Sequence, residues 1–498
     1  MTIDWLQVGV TALTTVLLAF VAVGAIPILA TLYQFLAIPF HSVINHYRKA
    51  TPYLPRVAVV VPAWNEGAVI GASVDRLMSL EYPSDRLRVF VVDDASTDDT
   101  PEVVRGKEQQ YPGRVVHLRR EKGGEGKAHT LNFGIGRVLE DDWMQALLIM
   151  DADVIYLPDS LRRMTRHLGD PQVGAVTAYI AEGSADKNYL TRFIGMEYVL
   201  AQVASRRAQN VLGALACLAG GAQLHSRDNL EAIGGRIDTS SLAEDTITTF
   251  ETQLRGRRVV FEPHAVVLAE EPERIASLWK QRLRWARGNV QVTSRYRRVW
   301  FRPSRVHKLG KPSFGIFWFS IFLLPVAMIL SSTGLIGLFL LQSELATVVF
   351  RAMWITAACT YVYTIVLAVQ LDGRTGRRSW REAILFPGLV SIIVMVTAFF
   401  PGLLERRLPE LLGIPVTPTG EAAWTLFVYA WISFSMLFAW LAKVVESTAV
   451  GRFLSPFLIY VVGYGPLLCA VTVDSYIKEW RHEAAVWDKT EKIGRVAG

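Results

Sequence analysis

The 498 residues include only three cysteines, Cys217, Cys359 and Cys469, far apart along the chain. That scarcity excludes a disulfide framework and a cysteine-based zinc site. Charge is scarce too: 19% of residues are Asp, Glu, Lys or Arg, against about a quarter in an average soluble domain. No charged residue falls between Trp5 and Phe40. No acidic residue falls between Arg274 and Lys311, a stretch holding twelve Lys and Arg. Hydrophobic residues, by contrast, make up 51% of the chain. Such a composition excludes intrinsic disorder and argues against a wholly soluble enzyme. The net charge of +7 (52 Lys+Arg against 45 Asp+Glu) is modest, so its meaning lies in its placement.

A bilayer core of ~30 Å needs about 20 consecutive apolar residues in a helix. The run Trp5–Phe40 meets that need, lacks a basic start and has no cleavage site, so it reads as an anchor and not a signal peptide. Five more charge-free stretches follow the mixed central region: 312–343, 352–371, 383–404, 422–442 and 453–473. The charge-free run Ala208–Ser226 carries Gln209, Asn210, Gln223, His225 and three glycines, and reads instead as buried core and the wall of a cleft.

Lys and Arg in short flanking loops set orientation. Only Asp4 precedes the first helix, whereas Arg48 and Lys49 follow it, so the central domain is expected in the cytoplasm. Stretch 383–404 has Pro387 and Pro401 near its ends and Arg406–Arg407 just beyond. It reads as a re-entrant or interfacial segment, which leaves five spans and a cytoplasmic tail. The expected layout is a transmembrane helix over 1–41, a cytosolic domain over 42–272 and basic interfacial helices over 273–312. A membrane bundle over 313–475 and a tail over 476–498 complete it. The basic stretch next to a membrane helix suits anionic lipid. With no recognisable binding module beside it, nucleic acid is not an expected partner.

Within the central domain, Arg56–Pro62 is a continuous β-branched run, the pattern of a strand buried on both faces. It ends in Ala63-Trp64-Asn65-Glu66-Gly67 and leads into a helical stretch. Leu87–Val92 repeats the plan, ending in Asp93-Asp94, and Ala146–Met150 repeats it again, ending in Asp151-Ala152-Asp153. Strand, acidic or polar loop and helix, three times over, predict a parallel α/β sheet with a ligand site at the strands' carboxyl ends. Two carboxylates one residue apart repel unless something neutralises them. Mg²⁺ held with a diphosphate does so, although a helix cap or solvated turn is the plainer account of Asp-x-Asp alone. Lys127, in the glycine-rich loop Lys122–Lys127, suits phosphate, but the spacing is not that of a P-loop.

Together these residues resemble the membrane-bound family 2 glycosyltransferases: cellulose, hyaluronan, chitin and poly-N-acetylglucosamine synthases. The resemblance rests on six motifs in family order: Val61–Glu66, Val92–Asp98, Gly126-Lys127-Ala128, Met150–Asp153, Ala243-Glu244-Asp245 and Gln281–Trp285. It implies a GT-A (Rossmann-like) α/β fold, a UDP-sugar donor, Mg²⁺ or Mn²⁺, and an inverting transfer. By that match Pro62, Glu66, Asp93, Asp94, Lys127, Asp151 and Arg284 would bind the nucleotide-sugar. Asp151 and Asp153 would hold the metal, and Asp245 would be the general base. Gly221, Glu244, Gln281 and Trp285 would face the acceptor. The base motif departs from the family's, being Ala-Glu-Asp where cellulose synthases begin with Thr and hyaluronan synthases have Gly-Asp-Asp.

The resemblance further implies a processive synthase that elongates a β-linked polysaccharide from UDP-N-acetylglucosamine or UDP-glucose at the inner membrane and passes it outward. Accessory export proteins or self-association would be its protein partners. Transfer of one sugar to a membrane lipid, and a transporter with a degenerate nucleotide-binding domain, are the competing expectations.

Overall fold

In the computed structural model, which describes residues 5–43, 52–185 and 187–484, the chain forms two compact units. One comprises the residues up to Phe35 with Ile316–Arg481; the other comprises Leu36–Gly315 and the residues from His482 onward. Asp4, Arg48, Lys49 and the tail beyond 484 lie outside the described residues. Helix α1 (Trp5–Val43) contains the charge-free N-terminal run.

The central unit is built on the β-branched runs. Strand β1 (Val57–Ala63) is buried along nearly its whole length, as an apolar run without alternation requires. Helix α2 (Gly67–Met78) follows it. Strand β2 (Leu87–Asp93) is followed by helix α3 (Thr100–Gln110), and β3 (Val115–Arg119) by helix α4 (Lys127–Leu139). With β4 (Ala146–Ile149) these strands are parallel, so their carboxyl ends share one edge. Helix α4 buries Leu131, Ile135 and Val138, spaced four and three residues apart, against Val60 and Val92. Gly134 permits that approach, since a Cβ there would lie 2.6 Å from Val92 Cγ2.

Past β4 the sheet departs from the all-parallel expectation. Strands β5 (Val154–Tyr156), β6 (Val173–Glu182), β7 (Gln223–Ser226) and β8 (Arg258–Ala269) complete the order β3-β2-β1-β4-β7-β6-β8-β5. Strand β7 runs antiparallel to both β4 and β6, while β8 is parallel to β6. The cause lies between helix α5 (Tyr189–Tyr198) and β7. A π-helical turn over Val199–Ala204 leads into helix α6 (Ser205–Leu212), which stops at left-handed Gly213. The chain then doubles back through Gly220–Gly221 into β7. Ala208–Ser226 is thus largely buried in the core of this unit. Helix α7 (Glu244–Leu254) precedes β8, and helix α8 (Ile275–Arg295) follows it.

Among the described residues, three helices are long and apolar enough to cross a membrane: Trp5–His41, Leu345–Leu371 and Pro418–Glu446. Three pairs of shorter helices are sharply bent instead: Pro312–Phe322 with Leu324–Leu340, Leu389–Phe399 with Leu403–Leu411, and Phe453–Val462 with Tyr464–Trp480. Counting each pair as one span gives up to six. The 11-residue helix Leu389–Phe399, within the expected re-entrant segment, is about 16 Å long, roughly half a hydrocarbon core. The break at Gly463 interlocks, glycine against glycine, with the turn that precedes Leu389–Phe399. A Cβ on Gly388 (φ 88°) would lie 2.3 Å from the Val462 carbonyl carbon, and one on Gly463 (φ 110°) 2.5 Å from that of Pro387. The amides of Tyr464 and Gly465 donate to the Phe386 carbonyl at 2.9 and 3.1 Å, satisfying donors that a helix start leaves open. His482–Ala484 belong to the central unit, where Arg287 donates to the carbonyls of Glu483 and, at 3.0 Å, Ala484.

Candidate active site

The loops after β1 and β2 are bonded to each other as one rim. Asn65, in the left-handed region at φ 52°, donates its amide to Ser96 Oγ and accepts from the Thr97 amide at 2.8 Å. The amide of Glu66 donates to Thr100 Oγ1 at 2.8 Å, and Pro62 is half-buried just before this rim. Non-glycine residues in this backbone region, here Asn65 and Ala95, are strained and concentrate at functional sites.

The acidic pair divides its roles. Asp93 is completely buried: its carboxylate accepts from the Ser96 amide at 2.8 Å and lies 3.4 Å from Arg119 and 3.6 Å from His117. Burial alone would raise its pKa, but the neighbouring His117, the bond from Ser96 and the nearby Arg119 hold it below the usual carboxylate range. Asp94 faces the glycine-rich loop, accepting from the Gly124 amide at 3.0 Å and pairing with Arg120, which also pairs with Glu125. Arg120 carried no signal in the sequence, because its partners lie on two different loops.

The loop after β4 and the turn before β7 bring the remaining groups together. Lys127 Nζ pairs with Asp151 and lies 4.0 Å from Glu244 and 3.5 Å from the Gly220 carbonyl. Burial by itself lowers the Lys127 pKa, yet Asp151, Glu244 and Asp245 together raise it. A Cβ on Gly220 would lie 3.4 Å from both Asp245 Oδ2 and Lys127 Nζ, and one on Gly221 would lie 3.3 Å from Asp151 Oδ2. The two glycines therefore let a bare backbone turn run between the three charged groups. Asp153 is buried beside β4, and Asp151 is about one-third exposed. Two carboxylates of this kind suit a divalent cation that completes its shell with phosphate oxygens and water. Among the described residues no group of three or more His, Cys, Asp or Glu could hold a metal alone.

Glu244 and Asp245 occupy the first turn of α7, where the helix dipole favours negative charge. The cap position, Ala243, makes no side-chain capping bond; Asp245 Oδ1 instead accepts from the Thr246 amide at 2.7 Å. Burial, then the neighbouring Asp245, raises the Glu244 pKa, opposed by Lys127 and Arg284. Arg284 is thus within electrostatic reach of this cluster. Helix α8 approaches closely: a Cβ on Gly288 would lie 2.6 Å from that of Ala243, and Gln291 Oε1 accepts from the Leu242 amide and Ser241 Oγ. Cys217 neighbours Asp245, but burial pushes its thiol well above the ordinary range, which suits packing and not nucleophilic attack.

Of the residues singled out in the sequence, Lys127, Asp151, Gly221, Glu244, Asp245 and Arg284 are brought together. Trp285 is 37% exposed, whereas Gln281, four residues earlier, is buried with both ends of its amide engaged by Arg282 and Glu271.

Residues 55–288 match the family described as glycosyltransferase like family 2. The chain is 29% identical over 339 residues to a probable glycosyltransferase of Bacillus subtilis, YdaM, covering 67% of this chain and 78% of that protein. It is 34% identical over 249 residues to the beta-monoglucosyldiacylglycerol synthase of Synechocystis, covering 50% of each. It is 28% identical over 243 residues to the poly-beta-1,6-N-acetyl-D-glucosamine synthase of Staphylococcus aureus, covering 49% of this chain and 56% of that one. The chain therefore spans only about half the length of the latter two. The strand-end acids, the glycine turn and the helix-borne Asp245 all lie inside the matched segment, so residues 55–288 form a domain of the glycosyltransferase family 2 type.

Proposed function

We propose that the protein is an inverting transferase that moves a sugar from a UDP-sugar, UDP-N-acetylglucosamine or UDP-glucose, onto an acceptor hydroxyl. The observation that carries this reading is the convergence of Lys127, Asp151 and Asp245 on the Gly220–Gly221 turn. In it, Asp94 and the rim at Pro62 and Glu66 receive the nucleoside, with Asp93 bracing the loop from below. Lys127 and Arg284 face the diphosphate. Asp151 and Asp153 would hold Mg²⁺ or Mn²⁺, which when bound offsets the negative charge of departing UDP. Asp245 Oδ2 accepts the acceptor's proton as its oxygen attacks the anomeric carbon on the face opposite UDP, a role that needs orientation as much as basicity.

In the same reading, the acceptor is a growing β-linked polysaccharide, made at the cytosolic face of the inner membrane and carried across by the apolar helices. The exposed face of Trp285 suits a sugar ring, and the relative named as a poly-beta-1,6-N-acetyl-D-glucosamine synthase supports a polymer. The relative named as a beta-monoglucosyldiacylglycerol synthase favours a second reading, transfer of one sugar to a membrane lipid. Purified protein incubated with labelled UDP-sugars and Mg²⁺ or Mn²⁺ separates them. A product ladder digestible by glycosidases is expected; a single labelled glycolipid would select the second reading, and no UDP release would overturn both.

A further inference from the structure

Two residues inside Gln281–Trp285, Arg282 and Leu283, have no role in the motif, and Arg282 is held by several partners. It is 5% exposed, although cationic. Its Nε and Nη2 donate to the two carboxylate oxygens of Glu197, on α5, at 3.0 and 2.8 Å, and Nη1 donates to Gln281 Oε1. Its guanidinium carbon lies 4.2 Å from the centroid of the Trp285 ring and 5.5 Å from that of Tyr198. The set closes through Glu271, just past β8. Glu271 accepts from the Tyr198 hydroxyl at 2.7 Å and from Gln281 Nε2 at 3.5 Å, and its own amide donates to Ser184 Oγ at 3.1 Å.

A buried ion pair seldom stabilises a fold more than apolar residues of the same size would. What a forked arginine–carboxylate pair supplies is geometry: two parallel bonds fix the plane of the guanidinium. A fixed guanidinium plane then orients an aromatic ring stacked on it. We propose that Arg282, locked by Glu197, is a positioning residue that sets the Trp285 ring at the acceptor side of the site, with Glu271 and Tyr198 holding Gln281 in the same frame. This rests on the reading of Trp285 as an acceptor platform. The motif's buried Gln281 then serves the frame, and Trp285 meets the sugar.

Arg282→Lys tests this in the full-length purified protein, because lysine keeps the charge but has neither fork nor plane. Hydroxyl-radical footprinting of the peptide carrying Trp285 reads the ring's exposure without any turnover. UDP binding by calorimetry and transfer from the UDP-sugar are measured alongside. Labelling of Trp285 is expected to rise severalfold and kcat to fall about tenfold, as for loss of a desolvated cation–π contact. UDP affinity and the donor KM should stay within about twofold of wild type. Glu197→Gln, which leaves the arginine in place, is expected to shift both readouts in the same direction by less. Wild-type labelling of Trp285 in Arg282→Lys would overturn the proposal. So would loss of UDP binding in step with turnover, the mark of a strut that merely holds the domain together. Wild-type protein that never turns over a UDP-sugar would instead sink the proposed function and leave the footprint to judge the positioning role.

Discussion

The proposed donor and acceptor sides of the site are built by different means. On the donor side, each acid stands at or just past the carboxyl end of a buried strand: Asp93 ends β2 and Asp94 follows it, and Asp151 and Asp153 follow β4. Backbone ladders place them, and short loops bonded to one another hold them there. On the acceptor side, Asp245 and Trp285 stand on helices α7 and α8, and side chains place them. Gln291 holds the entry to α7, Gly288 lets α8 approach Ala243, and the Glu197–Arg282 pair ties α8 to α5. A ladder tolerates substitution of its side chains; a side-chain network does not. The donor side should therefore fail by losing affinity, and the acceptor side by losing turnover or orientation.

The largest effect tests that division directly. Asp245→Asn should lower transfer by on the order of 10²–10⁴, the range of general acid–base catalysis, with UDP affinity by calorimetry unchanged. Near-normal turnover would remove Asp245 from its role. Asp153→Ala should do the reverse. Metal-dependent UDP binding is expected to weaken by more than about tenfold, since even outer-shell losses cost 10–100-fold, while binding measured without metal stays the same. Equal binding with and without metal in both proteins would show that the donor side does not use this carboxylate.

The smallest effect concerns the acceptor-side frame and is a matter of pH. Burial pushes Glu271 up from its ordinary 4.5 to about 7, opposed first by Arg282 and then by the Tyr198 hydroxyl, with Glu197 adding repulsion. A carboxyl raised in the folded state is protonated there while the unfolded chain has already ionised. Its stabilising contribution is therefore complete below about pH 4.5 and is lost as pH rises to about 7, up to roughly 3 kcal/mol. Glu271→Gln should flatten that part of the thermal-unfolding profile between pH 5 and 8. An unaltered slope would place the titrating group elsewhere.

Much of the donor side was legible in the sequence because it obeys local rules. A β-branched run followed by acids and a helix can be read from a dozen residues, and Ala243–Asp245 could be matched as a motif. The antiparallel insertion of β7 was not legible, because it depends on where the chain turns back at Gly213 and Gly220–Gly221, a long-range event without a local pattern. Asp93 and Asp94 look equivalent as letters. Only the neighbouring strand, bringing His117 and Arg119, makes one a brace and leaves the other at the glycine-rich loop. Gln281 and Trp285 share a helical face by spacing, yet the partners on α5 and past β8 draw one inward and leave the other exposed.

By itself, then, the sequence determined which stretches are apolar enough for a membrane, which runs become buried strands, and which acids stand at their ends. Each follows from side-chain chemistry repeated at a short period. Tertiary structure alone decided that Lys127, Asp151 and Asp245 meet at a bare glycine turn and that two apolar stretches break where Gly388 and Gly463 cross. It alone tied Arg282, three residues before Trp285 on the same helix, to Glu197 on another. Those outcomes depend on distances between residues tens to hundreds of positions apart, and packing sets such distances only once the whole chain has folded.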